Sequence, residues 1–361
     1  MITMKDDILR QLATTFLKSQ EFISGTKLAG EFGVSRMAIS KSIQSLIAAG
    51  LPIESTKHHG YRLLSLPDLM LEPLLSASFS CLDWQTITPA PHAFTSVDST
   101  NLAARRGADA KDPAGSIYVA EEQTAGRGRR GKSWRSAAGE GIWFSLLLKP
   151  DLPPERLAPI TLFAGLCTAA ALRQETSLDI WLKWPNDLVV LPEGRKVGGI
   201  LTEMMVEENQ VSAVVVGIGI NVHTLDFPED LQAIATSLDL ALVSVAQNKN
   251  AQLGQFVQPD PSLHPDPSLN RIHLITAILR EWDRRWFQFL HQSPEPWLDD
   301  YRQICATLGR AVEVHEASGL VWQGQALGIA PGGDLLVKKP DGSMATVAAG
   351  EVSVRGLLGY V

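Results

Sequence analysis

Between Gly126 and Arg135 the chain carries five cations (Arg127, Arg129, Arg130, Lys132 and Arg135), three glycines and no acid. Glycine lets backbone N–H groups approach an anion closely, and clustered guanidinium groups grip phosphate oxygens in pairs. The segment reads as a loop that folds over a phosphorylated ligand; a basic solvated loop or a nucleic-acid patch remain open from this stretch alone. Its Gly126-Arg127-Gly128-Arg129-Arg130-Gly131 spacing also fits the glycine pattern of dinucleotide-binding folds. That use needs a helix to open at once, whereas Lys132-Ser133-Trp134 leads to Gly139 and Gly141, so it is rejected. Further along, Lys183-Trp184-Pro185-Asn186-Asp187 gathers a cation, an aromatic wall, a rigid turn, an amide and a carboxylate. Lys183 suits a phosphate contact and Asp187 a magnesium contact, although taken alone the segment also fits a hairpin turn. No Ser–His or Cys–His spacing marks a covalent nucleophile, and His223 near Asn221 is expected to be structural.

The elements that must position these groups follow from periodicity. From Phe94 to Asn221, strand-like runs (Ser116 to Ala120, Gly141 to Leu148, Ile180 to Leu182, Lys196 to Met204, Val211 to Asn221) alternate with helical ones (Ser99 to Arg106, Pro154 to Glu175), which predicts a mixed α/β or α+β domain in a chain of α+β class. The longest apolar stretch, Leu157 to Leu172, has 16 residues and reads as a buried helix, short of the roughly 20 a membrane span needs. Residues 242–270 are Gln- and Asn-rich and repeat Pro-Asp-Pro-Ser-Leu, which predicts a disordered insert. Ile272, Ile275, Ile278, Leu279, Trp282 and Trp286 mark an amphipathic helix, Trp297 to Leu308 a second, and the short strands from Gly309 onward a small β-barrel.

The 361 residues suggest two or three domains, with 45% apolar and 20% charged side chains, an ordinary globular balance. The net charge of −7 argues against nucleic acid as an average, but residues 1–65 hold eight basic and five acidic side chains. There, Ile8, Leu9, Leu12, Phe16 and Leu17 predict one helix; Thr26 is expected to cap a second that ends at Phe32-Gly33; Ser35 is expected to cap a third, whose buried stripe is Ile39, Ile43, Leu46 and Ile47. With strands around Lys57-His58-His59-Gly60, this predicts a winged helix-turn-helix. Ser35, Arg36, Ser40, Lys41 and Gln44 would face the major groove, and Lys57, His58, His59 and Arg62 the phosphates; any small helical module is the alternative. Residues 66–92 read as a linker with one short helix. Scattered Cys81, Cys167 and Cys305, and an amino end without a secretory pattern, lead to the expectation of a cytoplasmic protein with no membrane partner.

Taken together, Asp98-Ser99-Thr100-Asn101, Gln123 with the arginine loop, Lys183 to Asp187, Lys196-Val197-Gly198-Gly199-Ile200-Leu201 and Gly217-Ile218-Gly219-Ile220-Asn221 give the sequence a resemblance to the bifunctional biotin protein ligases that also repress the biotin operon. The resemblance covers nearly the whole chain and implies an SH3-like barrel at residues 309–361 after a catalytic domain at 93–308. It implies synthesis of biotinyl-5′-AMP from biotin and ATP and transfer of biotin to a lysine of the carboxyl carrier protein of acetyl-CoA carboxylase. It also implies binding of biotin-operon operator DNA by a homodimer, for which the sheet edge near Leu201 to Val206 is a pairing surface. Ser99, Thr100, Asn101, Gln123, Arg127, Gly128 and Arg129 would hold biotin, with Lys196 at its activated carboxyl; Trp134, Lys183, Asn186 and Asn221 would hold the nucleotide, and Asp187 Mg²⁺. Joining a carboxylate to a triphosphate brings like charges together, so Arg129, Lys183, Lys196 and Mg²⁺ are the candidates for stabilising the charge at phosphorus. A regulator that senses biotin without catalysis, and a lipoate-type ligase, are the alternatives.

Overall fold

The computed structural model describes residues 3–208, 210–252, 269–316, 319–349 and 352–356. Its amino-terminal part consists of α1 (Met4–Lys18), α2 (Gly25–Glu31), α3 (Arg36–Ala48), β1 (Ile53–Thr56) and β2 (Gly60–Leu63), the last two forming an antiparallel hairpin. Ser35 caps α3 as expected, its Oγ accepting from the Ala38 N–H at 3.2 Å, and Gly33 takes a left-handed φ of +65° after α2. α2 itself is capped by Ser24, not Thr26: Ser24 is the residue still extended in φ/ψ, and its Oγ accepts from the Lys27 N–H at 3.1 Å. On α3 the inward set is Ile39, Ser42, Ile43 and Leu46, spaced i, i+3, i+4, i+7, so Ile47 faces outward against expectation. Leu17 is likewise exposed, one position past the packed face of α1.

After α4 (Glu72–Ser80) comes a seven-stranded mixed sheet in the order β3-β4-β5-β9-β8-β7-β6. Its strands are β3 (Ala90–Val97), β4 (Ser116–Gln123), β5 (Gly141–Leu148), β6 (Ile180–Lys183), β7 (Asp187–Val190), β8 (Arg195–Glu207) and β9 (Gln210–Asn221); β3 and β4 are parallel, the other neighbours antiparallel. Strand alternation divides the burial between two faces. Ala213 and Val215 of β9 pack with Ala103 and Ala104 of α5 (Thr100–Asp109). Val214, Val216, Ile218 and Ile220 join the large core on the opposite face, where α6 (Pro154–Leu157) and α7 (Ile160–Thr176) lie. The run Pro154–Thr176 has 23 residues and matches a membrane span in length and composition, longer than the sequence implied. Its side chains are nevertheless packed inside the domain, because α7 is covered by the sheet on one side and a long helix on the other.

That covering helix comes after α8 (Glu229–Gln232) and α9 (Leu238–Gln252): it is α10 (Arg271–His291), followed by α11 (Glu295–Gln303). Phe163 of α7 meets Trp282, Trp286 and Phe289 of α10 and Trp297 of α11 at ring-centroid distances of 4.7–5.9 Å. Against the expectation of disorder over 242–270, residues 242–252 are helical and 269–270 are ordered at the start of α10. α9 continues to Gln252 because Leu238 and Ala241 anchor its start; Leu269 is buried, and Asn270 caps α10 by accepting from the His273 N–H at 3.1 Å. Residues 253–268, with the Pro-Asp-Pro repeat, lie outside the described residues.

The carboxy-terminal sheet orders β10 (Ala311–Glu316), β11 (Val321–Ile329), β12 (Leu335–Lys338), β13 (Met344–Val347) and β14 (Val352–Gly356) as β13-β12-β11-β10-β14. Residues 66–92 are more than a linker: Leu74, Leu75, Ala77 and Phe79 of α4 are buried between α1 on one side and α10 and β3 on the other, so a single apolar core runs through all three parts of the chain. Asp283 of α10 closes this seam, accepting from the N–H groups of Gln85, Thr86 and Ile87 at 2.7–2.9 Å and from the Thr86 hydroxyl at 2.7 Å. Burial opposes its charge, but these donors prevail and hold the carboxyl below the usual carboxylate range. Asp283→Ala should cost about 3 kcal/mol in urea unfolding at pH 7, because it strands buried N–H groups. The wild-type advantage should shrink as pH falls through the acid range; a loss under about 0.5 kcal/mol would contradict the seam's role.

Candidate active site

The site lies on the α5 face of the sheet, over glycines. Gly199 of β8 is registered opposite Gly219 of β9, and Gly217 lies two residues before Gly219 on the same face. A Cβ on Gly219 would stand 2.9 Å from the Trp134 indole, and one on Gly217 2.0 Å from Asn101 Oδ1. Trp134 therefore lies directly on the strand backbone, its ring steeply inclined at 72° to that of Trp143 and the Lys196 ammonium 5.0 Å from its ring centroid. Lys196 Nζ also lies 2.6 Å from Asp187 Oδ1. Asn221, at the end of β9, is buried and donates from Nδ2 to the Thr236 carbonyl at 3.1 Å, while Lys196 N–H and carbonyl bond Ile234 and Thr236 at 2.8 Å each.

At the other end of the floor, α5 begins. Gln123 Oε1 accepts from the Thr100 N–H at 2.8 Å and its hydroxyl at 3.2 Å, and Gln123 Nε2 donates to Ser136 Oγ at 2.8 Å. Ser145 Oγ is 2.8 Å from Thr100 Oγ1 and 2.7 Å from Asn101 Oδ1, and Asn101 Nδ2 donates to Leu201 O and Glu203 Oε2 at 3.2 and 2.9 Å. The Asn101 amide is thus fully engaged by protein partners, whereas Ser99, also buried, makes no cap bond to α5. Asp98 grips Arg106 at 2.8 Å and has its carboxyl lowered to about 2, chiefly by the hydrogen bond from that guanidinium.

The arginine loop bridges these two ends. Arg127 and Ser133 pair as an antiparallel bridge, the Gly128 N–H donates to the Lys132 carbonyl at 2.7 Å, and Arg129–Gly131 makes a single 3₁₀ turn with left-handed φ at Arg130 (+56°) and Gly131 (+73°). Gly126 is required by close approach: a Cβ there would be 2.3 Å from the Trp134 carbonyl. Arg127 lies 3.2 Å from Glu203, while Arg129 donates to Asn186 Oδ1 at 2.9 Å and to the Ala349 carbonyl of the barrel. Burial lowers the Arg129 pKa, against the attraction of Asp187.

The structure thus gathers Trp134, Lys196, Asp187, Asn186, Arg129 and Asn221 at one end and Ser99, Thr100, Asn101 and Gln123 at the other. Lys183 is nearly buried, 7% exposed, at the end of β6 opposite Asp187. The motif is a hairpin turn, as its residues allowed. Trp184, however, is not a ligand wall: it is 1% exposed and donates from Nε1 to the Gly333 carbonyl at 2.9 Å, because it docks the barrel. A resident metal fits poorly, since the Asp187 carboxylate is engaged by Lys196 and the described residues gather no group of three or more His, Cys, Asp or Glu.

On α3, Arg36, Lys41 and Gln44 are exposed with Ser35, and Ser40 is half-exposed. Sequence reasoning passed over Met37, 82% exposed and on the same face at i, i+4, i+7 with Lys41 and Gln44; its exposure was implied by the inward set of α3. Lys57, His58 and His59 are exposed at the wing, whereas Arg62 is half-buried, 2.7 Å from Glu54 and stacked 4.5 Å over Phe22.

Residues 93–221 match the biotin/lipoate A/B protein ligase family, residues 307–355 the biotin protein ligase C-terminal domain, and residues 8–62 a helix-turn-helix domain. The fold is that of a biotin/lipoate-type protein ligase with an HTH domain at its amino end. The chain belongs to the family of bifunctional biotin ligase/repressors: it is 31% identical to the bifunctional ligase/repressor BirA of Bacillus spizizenii over 94% of this chain and 96% of the relative. It is 28% identical to that of Escherichia coli over 98% and 99%. Among solved structures, the Aquifex aeolicus biotin protein ligase in complex with biotin and ATP superposes with a TM-score of 0.55 at 27% identity, covering 74% of this chain and 98% of that one.

Two outcomes follow from this geometry. Gly219→Ala should displace the Trp134 indole, shifting tryptophan fluorescence and costing about 1 kcal/mol in urea unfolding; an unchanged spectrum would show that the indole does not use this floor. For His223, burial opposes the charge, but Asp239 and Asp68, at 2.8 and 3.2 Å, raise the pKa to about 9. A raised folded-state value makes its stabilisation complete below about pH 6.5 and lost as pH rises through about 9. Wild type should therefore lose urea stability between pH 7 and 9.5 relative to His223→Gln; parallel curves would refute it.

Proposed function

We propose that this chain, acting in the cytoplasm, joins biotin to ATP to give biotinyl-5′-AMP and then transfers biotin to one lysine of a carboxyl carrier protein of the acetyl-CoA carboxylase type. The observation that carries the reading is the arginine loop closing over a glycine floor, with Arg129 reaching the Lys183–Asp187 turn and Lys196 held at the ring of Trp134. In the first step a biotin carboxylate oxygen attacks the α-phosphorus of ATP and pyrophosphate leaves. In the second the lysine amine, having lost its proton, attacks the acyl carbon and AMP leaves. Both ligands of the first step are anions, so fixed cations must be in place before they meet.

In this reading Ser99, Thr100, Gln123 and the Arg127–Arg129 backbone hold biotin, with Asn101 setting the start of α5. Trp134, Lys183, Asn186 and Asn221 hold the nucleotide. Arg129, Lys183 and Lys196 stabilise the charge at phosphorus, and Asp187 orients Lys196. Magnesium bound to the triphosphate would neutralise part of its charge, and no residue of this chain is assigned to hold it. The loop over the acyl phosphate excludes water that would hydrolyse it.

The winged helix carries the second activity, repression by binding DNA at the biotin operon. Support comes from the exposed face Met37, Lys41 and Gln44, flanked by Arg36 and Ser40, on a helix entering at its amino end. Two such faces need two copies. Among the described residues, 201–206 of β8 pair in the sheet only with β9, since the pairing of β8 with β7 ends at Gly199 opposite Asp187, so this edge offers the pairing surface.

Incubation with biotin, ATP and an acceptor domain should add one biotin to the acceptor by mass spectrometry, and lipoate should not replace it; no mass increment would end the ligase reading. Arg129→Ala should release adenylate faster and slow acceptor modification more than tenfold, and unchanged adenylate retention would contradict the closing loop. Binding to promoter DNA of biotin genes should strengthen with biotin and ATP and weaken with salt; its absence would leave a ligase alone.

A further inference from the structure

Residues 66–70, immediately after the wing, are tied to the nucleotide end of the sheet by a charged cluster. Arg271 of α10 is 1% exposed. It donates to the Asp68 carboxylate from its backbone N–H at 2.8 Å and from Nε at 2.9 Å, and to the Asp68 carbonyl from Nη2 at 2.9 Å. Its Nη1 reaches Glu121 Oε2 at 3.0 Å and the Gly141 carbonyl at 3.1 Å. Gly141 is the residue registered opposite Asn221. His223 Nε2 lies 3.2 Å from the same Asp68 oxygen that takes the Arg271 Nε bond, and His223 Nδ1 lies 2.8 Å from Asp239. The Asp239 N–H donates to the Val222 carbonyl at 3.1 Å, closing the turn whose Thr236 contacts both Asn221 and Lys196. Asn270 Nδ2 to Leu66 O at 3.0 Å and Met70 N–H to Glu121 at 2.5 Å complete the tie.

An arginine this deep costs several kcal/mol unless every partner stays in place. Its partners come from the segment after the wing, from β4 and from the start of β5, so none of these can shift alone without leaving a buried charge. The bonds that position Thr100 and Gln123 share no atom with this cluster.

We propose that Asp68 is a positioning residue of the nucleotide site: through Arg271 and His223 it fixes the β5–β9 end and the 222–239 turn that carry Asn221 and hold Lys196, and so makes the seat of the winged helix part of the nucleotide-bound state. The inference rests on the ligase reading above and extends it to regulation. By linkage, the seat of the winged helix and the nucleotide favour one another by the same factor.

The test uses the full chain with Asp68→Asn, which keeps the side-chain size, and His223→Gln. In biotin-dependent pyrophosphate exchange the KM for ATP should rise five- to tenfold in both variants, with the KM for biotin within twofold and Asp68→Glu recovering part of the loss. The tightening of DNA binding by biotin and ATP should fall to a similar extent. An ATP KM within twofold of wild type, ATP and biotin KM values that rise together, or undiminished ligand-dependent tightening in Asp68→Asn would each overturn the inference. A wild-type chain that exchanges no pyrophosphate would instead bring down the ligase reading, and this one with it.

Discussion

A strand can carry a platform only where it gives up its own side chains, and this site depends on that constraint. On β9 the core-facing residues Val216, Ile218 and Ile220 stay large while Gly217 and Gly219, pointing the other way, leave bare backbone. The sheet thereby keeps its packing on one face and yields a floor on the other. The Asn101 amide rests on the first glycine and the Trp134 indole on the second, so α5 and the arginine loop take their heights from the same two absences. Without that floor Lys196 would have no ring to lie against, and the loop would have no fixed point at Trp134 from which to close.

Electrostatics then decides how the site tolerates its clustered cations. Lys196 is held by Asp187 at 2.6 Å, Arg127 by Glu203 at 3.2 Å, and Arg129 by the neutral amide of Asn186 and a barrel carbonyl. Each cation is therefore held in place by the protein itself. In the proposed reaction, exchange of such a partner for a phosphate oxygen would replace one charge-assisted bond with another, so the reorganisation at binding would be small and most of the attraction would remain for the developing charge.

The order of strands and helices was legible because each element carries its own period, and β5, Gly141–Leu148, falls at the expected residues. That Arg129, Lys196 and the Lys183–Asp187 turn belong together was legible because the glycines and cations stand out in runs of their own, and the structure brings them together. Contacts made across the fold were not. Nothing local distinguishes Trp184 as a docking group from an aromatic wall, since its partner Gly333 is remote in sequence. Arg271 is similar: an arginine at the start of an amphipathic helix reads as solvated, and only Asp68, Glu121 and Gly141, from three distant segments, explain its burial. The insert at 242–270 was overextended because composition averages over a window, whereas Leu238, Ala241 and Leu269 act as single anchors at its edges.

Trp184 also bears on why the chain needs its last fifty residues near the site. A five-stranded sheet of this size buries little on its own and gains stability by docking. Its dock is the aromatic of the same turn whose Asn186 receives Arg129, with Thr307 accepting from the Trp184 N–H at 3.0 Å. Arg129 then reaches past the turn to the Ala349 carbonyl of the barrel. The turn thus faces two ways, its indole buried against the barrel and its amide presented to the arginine loop. A barrel that undocks must loosen the Lys183–Asp187 turn, and with it Arg129, one of the cations to which the proposed adenylation step assigns the charge at phosphorus. In that reading the barrel is a wall of the site as much as an appended domain, and its packing is part of the preorganisation that the chemistry requires.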